Sequence, residues 1–568
     1  MLRHFLLLVP VAVAALALWN PRLSWLRDGV IYVSPQGSDW YSGRSPGSAV
    51  ATIQRAADMV AAGETILILP GVYREEVRVR NGGKPGKPVI FRAAHPGTVT
   101  ISGAAPDAMV ERLDWRNEGG KIWSAATPWP IYHAVGDGEN FFHVRWAAGA
   151  EGDKVYHWVG TEGRVARLRE LVSRPKAWGA FAWEQGRLYV AFADGRSPRD
   201  HTLQINRAIP RPYASWSIRS ANVWVEADHV RFEGLRFHLG VGAGLLLWNA
   251  QDVIVRDALF SGAMFGVSNF PRASLSRKLV VEHSHYHNYP QYFWFRDWLS
   301  WSEIFSHHSN STLISATGDG VIVRYNLITH AGDGLQLYTP AAKVNDGVEI
   351  YGNLAANGTD DGIEIDGHAI RVHLHHNVIY NFPTSLGMSP VLTGPVLVRD
   401  NLSLHPPRGE MGAHLKWLNP WQGRGSVLSG PSRNVVVRNN VFSGKWLAYS
   451  ATPLESVQVE NNIFADVVAD ERFGMPSDVV DHGNIFLKSP QGSSSPEVAC
   501  QLKLAARFVR RIESSNPIFP NWEGTSGHAR LFKAERPGPA WLEYDKFPAS
   551  RDAGPLVEQW MKVANRCD

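Results

Sequence analysis

The chain has 568 residues, 11% of them aromatic and 19% charged, with 52 glycines, 35 prolines, 22 tryptophans and a formal charge of +4. No Lys/Arg stripe runs along it, which argues against a nucleic-acid partner, because tracking a phosphate backbone takes clustered cations. The length would suit about two to four ordinary domains, but a repetitive fold can hold it in one elongated core.

Residues 1–26 open with Arg3 and His4 before an apolar run from Phe5 to Leu18, short for a membrane span. Ala15-Leu16-Ala17 offers a small-x-small cleavage site, so an export signal is expected, with an uncleaved membrane tether as the alternative. Either way the body belongs outside the cytoplasm, periplasmic or secreted. Residues 27–103 then read as an N-terminal cap and first coils. VIYV is a strand, SPQGSDWYSGRSPG a turn-rich loop, and ATIQRAADMVAAG (51–63) an amphipathic helix with Ile53, Ala56, Ala57 and Val60 on one face. ETILILPGVYREEVRV and PVIFRAAHPGTVTISG supply alternating strands.

The succession YVSPQGSD, TIQRA, GETILILPGVYREEV, PVIFRAA, VTISG resembles the opening segment of secreted right-handed parallel β-helix proteins. That family is mostly carbohydrate-active, comprising polysaccharide lyases, glycoside hydrolases and uronan epimerases. The resemblance implies the fold and a polysaccharide partner, and leaves the reaction open.

Residues 104–203 break the pattern. KIWSAATPW and GAFAWEQGRLYVAFADG predict an inserted β subdomain. From 204 to 487 repeats are explicit. VIVRYNLI, VEIYGNLA, VHLHHNVI, VLVRDNLS, VVVRNNVF and VQVENNIF share one template. Their Asn326, Asn353, Asn377, Asn401, Asn440 and Asn462, followed by Asn484, lie 27, 24, 24, 39, 22 and 22 residues apart. Periods in the twenties predict a solenoid with one coil per repeat, and an inward Asn at each bend predicts an asparagine ladder. Residues 488–568 read as a C-terminal cap over the last coil, which needs cover against edge pairing. Cys500 and Cys567 lie there, their pairing left open.

A second strand class alternates with the first: GLLLW, GVSNF, YFWFR, TLISA, GLQLY, GIEID, GMSPV and HLKWL. Its second and fourth residues point inward, its third and fifth outward. The third-position column is Leu246, Ser268, Trp294, Ile314, Gln336, Glu364, Ser389 and Lys416; the fifth is Trp248, Phe270, Arg296, Ala316, Tyr338, Asp366, Val391 and Leu418. Polar and charged side chains concentrate at Gln336, Tyr338, Glu364, Asp366 and Lys416.

Glycosidic hydrolysis needs two carboxyl groups across the scissile bond. Asp333, Asp361, Glu364 and Asp366 are the candidates, with Lys416 neutralising them. Asp333 and Asp361 each precede a glycine and so also carry a turn signature. Alternatively, Lys416 is the base of an elimination in a uronate polymer, with Arg296 and Tyr338 assisting. The DPHD-type epimerase motif is absent. Arg296, Gln336, Tyr338, His308, His368, Trp294 and Trp248 are the expected substrate-binding residues. Histidines recur at 283, 285, 287, 307, 308, 368, 373, 375 and 376 without a zinc-type spacing and third ligand, so no metal ligand is assigned. No cofactor is expected; the one alternative is Ca²⁺ on Asp360, Asp361 and Asp366. The expectation is therefore a monomeric, exported, all-β right-handed parallel β-helix. It would cleave glycosidic bonds in a polysaccharide, with hydrolysis favoured, elimination or epimerisation on a uronate polymer the alternative, and a non-catalytic glycan-binding β-helix the other class.

Overall fold

The computed structural model describes residues 29–145, 163–207, 220–269, 275–288, 304, 311–339, 343–405, 412–417, 430–444, 446–465, 467 and 475–487. The expected signal segment, the C-terminal cap with both cysteines, and Trp294, Arg296 and His308 lie outside the described residues, as does the Tyr338 side chain.

The chain folds as a parallel β-helix. One face is a 13-stranded parallel sheet running from Val30–Val33 to Val479–His482. The second and third faces belong to a 20-stranded sheet, joined into one because Leu235–Leu247 and Leu259–Ser268 run through both. A short four-stranded ladder closes one corner. One coil shows the pattern. Ile322–Arg324 lies on the first face, Leu327–Ala331 on the second, Leu335–Tyr338 on the third, and Glu349–Tyr351 begins the next coil.

The asparagines turn the corner between the first and second faces. Asn326 Nδ2 donates to Asn353 Oδ1 at 2.9 Å, Asn353 to Asn377 at 3.0 Å, and the chain continues through Asn401, Asn440 and Asn462 to Asn484. Each Nδ2 also donates to a backbone carbonyl, for example that of Val281 or Ile350. Before each of these asparagines stands a residue with positive φ: Tyr325, Gly352, His376, Asp400, Asn439, Asn461 and Gly483. The corner thus needs a left-handed residue and then an inward amide, which together satisfy the bend's polar groups in a dry interior. Between the corners Val, Ile, Leu and Phe fill the lumen. Ile350, Leu335, Leu337, Ile363, Ile365 and Leu374 are all buried, each contributing about 1.5–3 kcal/mol of transfer free energy.

The helix over the first coil is shorter than its sequence pattern, Ile53–Met59. Thr52 caps it by accepting from Arg55 N–H, and Val60 is already extended. Glu75 accepts from the Ile53 and Gln54 amides, which stand free at the helix start. The expected face, Ile53, Ala56 and Ala57, is buried.

Strand Val99–Ser102 pairs with Leu235–Leu247, so two coils far apart in sequence stack directly. Between them, Arg116–Asn117, Ile122–Ala126, Phe142–His143, Gly179–Glu184 and Arg187–Phe192 form a separate five-stranded sheet, mostly antiparallel. Helix Arg164–Val172 buries Leu168, Leu171 and Val172. Ala104 and Asn206 form an antiparallel bridge where this unit leaves and rejoins the solenoid.

Candidate active site

The third face carries the site. Its register is Leu246, Ser268, Ser315, Gln336, Glu364, Gly387, Lys416, Tyr449. This corrects the expected column at three rungs, the first because Ser268 pairs directly with Ser315 and leaves no rung between them for the expected Trp294. Ile314 is an inward core residue and Ser315 takes its place; Gly387, not Ser389, lies between Glu364 and Lys416. The strand Thr384–Gly387 starts earlier than the apolar pattern suggested, because Leu386 rather than Met388 pairs with Ile363.

Along this column Ser315 Oγ donates to Gln336 Oε1 at 2.9 Å, and Gln336 Nε2 donates to Glu364 Oε2 at 2.6 Å. Glu364 and Asp366 share a side-chain hydrogen bond. Asp366 Oδ1 also accepts the Ser389 N–H at 2.6 Å. Burial and then the Glu364 charge push Asp366 well above the usual carboxylate range. Burial and then Asp361 push Glu364 up as well.

Lys416 reaches back across the empty Gly387 rung and contacts Asp361 Oδ2 at 2.5 Å. A Cβ at Gly387 would stand 2.1 Å from that same oxygen, so the absence of a side chain there makes the contact possible. Burial disfavours the ammonium, but Asp361, Asp360 and Glu364 outweigh it and hold Lys416 above the usual lysine range. Asp361 is 2% exposed in its side chain and Lys416 19%, so the lysine is the member of the pair that solvent reaches.

Beneath the pair lies an acidic cluster. Asp333 Oδ1 accepts the Asp361 N–H at 3.1 Å, and oxygens of Asp333, Asp360 and Asp361 lie within 4.8 Å of one another. Burial, then the charges of Glu364, Asp360 and Asp361, push Asp333 well above the usual range. Asp333 Oδ2 and Asp361 Oδ1 are buried without a hydrogen-bond partner. Buried carboxylate oxygens are rarely left so, and a hard divalent cation, which takes carboxylate oxygens, satisfies this donor set. The set differs from the one expected for Ca²⁺: Asp333 replaces Asp366, whose oxygens are engaged by Glu364 and Ser389.

The structure therefore brings together Asp333, Asp361, Glu364, Asp366, Gln336 and Lys416. The Tyr338 backbone pairs with Asp366, and His368 follows at the next bend, half-buried, its N–H on Thr339 Oγ1. Trp248, 45% exposed, is not part of this group. It follows Leu246, which lies four rungs from Glu364, a separation of roughly 19 Å at strand spacing. Ser315, Gly387 and Asp360 were not singled out as site residues in the sequence. Asp360 stood only as a cation alternative, and the other two are ordinary residues whose importance depends on register.

No protein-family model matches the chain. It is similar to the uncharacterized protein YwoF of Bacillus subtilis strain 168, with 40% identity over 73 residues, 13% of this chain; the match spans only 15% of that relative's length. Among solved structures it is similar to XylC in complex with xylose (TM-score 0.43, 14% identity, 80% of this chain and 69% of the other). It is also similar to the pectate lyase Pel9A (TM-score 0.39, 12% identity, 89% of each chain) and the GH136 lacto-N-biosidase from Eubacterium ramulus (TM-score 0.38, 11% identity, 82% and 68%). With TM-scores this low, none of these likenesses decides what reaction the site performs.

Proposed function

We propose that the protein is an enzyme that cleaves a uronate-containing polysaccharide by β-elimination, with Lys416 as the base and a calcium-class cation on Asp333, Asp360 and Asp361. The observation that carries this is the pair of buried, unpartnered carboxylate oxygens, Asp333 Oδ2 and Asp361 Oδ1, under a solvent-reaching lysine. A bound calcium-class cation would neutralise the cluster and draw charge from a uronate carboxyl, acidifying the proton α to it. With the cation neutralising the carboxylates that hold Lys416 protonated, Lys416 would shed its proton to solvent. Its free Nζ then takes the α-proton, the C–H electrons form a double bond to the neighbouring ring carbon, and the glycosidic C–O bond there breaks with its electron pair leaving on the oxygen, which is protonated in turn by the Lys416 ammonium. Asp361 aims Lys416, while Ser315 and Gln336 orient Glu364 on the same outer face.

Hydrolysis by paired carboxyls is the second reading, supported by the upward push on Asp366 from burial and the adjacent Glu364. It ranks second because these two groups hydrogen-bond to each other, whereas hydrolases hold their carboxyls about 5 Å or more apart to admit the glycosidic oxygen. The test is product mass on neutral and uronate polysaccharides, with calcium and with chelator. Elimination gives fragments lacking one water, and only with calcium. Fragments that gain water establish hydrolysis instead, and a chain that binds glycan without releasing fragments is a binding protein.

A further inference from the structure

We propose a second metal site on the first face, formed by Glu349, His373 and His375, that takes zinc or a similar borderline divalent cation. These residues lie on adjacent rungs, with Glu349 beside His373 and Tyr351 beside His375. Ile350 and Leu374 between them point into the lumen, so the three side chains share the outer surface. A ring nitrogen of each histidine and one carboxylate oxygen all lie within 4.8 Å of one another. Glu349 Oε2 is 3.4 Å from His373 Nδ1 and 3.2 Å from His375 Nε2. In a tetrahedral zinc site with bonds of about 2.0–2.1 Å, donors stand roughly 3.3 Å apart. Both distances from the carboxylate are thus already those of a tetrahedron's edge. The sequence held only the His-x-His part of this set. The third donor comes from the previous coil, which is why spacing along the chain did not disclose it.

The surroundings orient the rings. Tyr351 stacks on His375 at 4.8 Å between centroids and 6° between planes. His375 Nδ1 lies 2.8 Å from His376 Nδ1, so the far side of the ring is held and Nε2 faces Glu349. Arg399 is the opposing element. Its Nε donates to His373 Nε2 at 2.8 Å, which places the His373 proton on Nδ1, the nitrogen a cation would take. A cation on Nδ1 would shift that proton to Nε2, and Arg399 would turn away towards Asp400, with which it already pairs. Unlike the carboxylate cluster, this nitrogen-rich set suits zinc better than calcium. A bound ion would tie two successive coils together.

The test is calorimetric titration of the full chain with Zn²⁺ in excess calcium, which keeps the carboxylate cluster filled. The wild type should show one zinc site that raises the melting temperature. Glu349→Gln and His375→Ala should each weaken that site by at least about tenfold and abolish the melting shift, with metal-free circular dichroism unchanged. Arg399→Gln, which removes no ligand, should tighten binding. A wild-type isotherm with no such site, or one unchanged in both Glu349→Gln and His375→Ala, overturns the proposal. Either result leaves the proposed elimination untouched, since the two sites share no residue.

Discussion

Replacing Gly387 by Ala adds one methyl group at the rung between Glu364 and Lys416. Gly387 has no left-handed φ, so the substitution strains no backbone and acts through contact alone. The new Cβ would stand 2.1 Å from Asp361 Oδ2, where ordinary contact begins at 3.4 Å, so the carboxylate must retreat by about 1 Å. That oxygen is the one on which Lys416 rests at 2.5 Å. Overpacking of this size costs about 1–3 kcal/mol of stability, and misplacing a catalytic group by about 1 Å costs about 100-fold in rate. The assay pairs urea denaturation with the initial rate of fragment release from the polymer identified as substrate. Gly47→Ala is the control, because a Cβ there meets nothing within 4 Å; it should stay within about 0.5 kcal/mol of the parent. If Gly387→Ala matches Gly47→Ala in both stability and rate, the empty rung does not aim Lys416 and the site is wrongly built.

Three further outcomes follow from the same geometry. Lys416→Ala should abolish cleavage and, by leaving the buried Asp361 charge unpaired, lower stability by about 3–5 kcal/mol in denaturant titration; Lys416→Ala with full stability would show that the pair is not held in solution. Asp366 is raised by burial and by Glu364, so the native state binds its proton more tightly than the unfolded chain. Its contribution to stability is complete below the ordinary carboxylate pKa and fades as pH rises through the native one. Asp366→Asn keeps a donor towards Glu364 and should flatten that slope in melts across pH, and an unchanged slope would assign it to another group. Asn377→Ala removes the acceptor of the Asn353 N–H at 3.1 Å and of its Nδ2 at 3.0 Å. The Asn353 Nδ2 keeps the Val323 and Tyr351 carbonyls, so one buried donor is stranded. The ladder should lose about 1–3 kcal/mol, read from the denaturation midpoint, and a loss under about 0.5 kcal/mol would mean water replaces the amide.

The solenoid was legible in the sequence because each coil repeats one requirement. A bend needs a left-handed residue and an inward amide, and Asn326 through Asn484 declare it at each turn. The carboxylates were legible too, since Glu364 and Asp366 alternate with buried Ile363 and Ile365. What the sequence could not give was the vertical register of the third face. Loops of unequal length precede each strand there, and a slip of one or two residues put Ile314 and Ser389 where Ser315 and Gly387 belong. The roles of Gly387 and Asp333 depend on neighbours one rung away, and no local pattern encodes those. The same applies to Glu349, which meets His373 only through the stacking of coils.

The bridge between Ala104 and Asn206 has a consequence for how such a chain can change. The five-stranded unit hangs from a closed neck, and the strands on either side of that neck stack as though nothing intervened. The unit is also seated on the stack, with Val135 packed on Leu239, Ile304 among its core residues and His238 bonded to Gln204, so it is the part beyond these contacts that can change length without shifting a rung. The stack fixes where Lys416 meets Asp361, and residues added to or lost from the far side of the pendant unit would leave that contact in place.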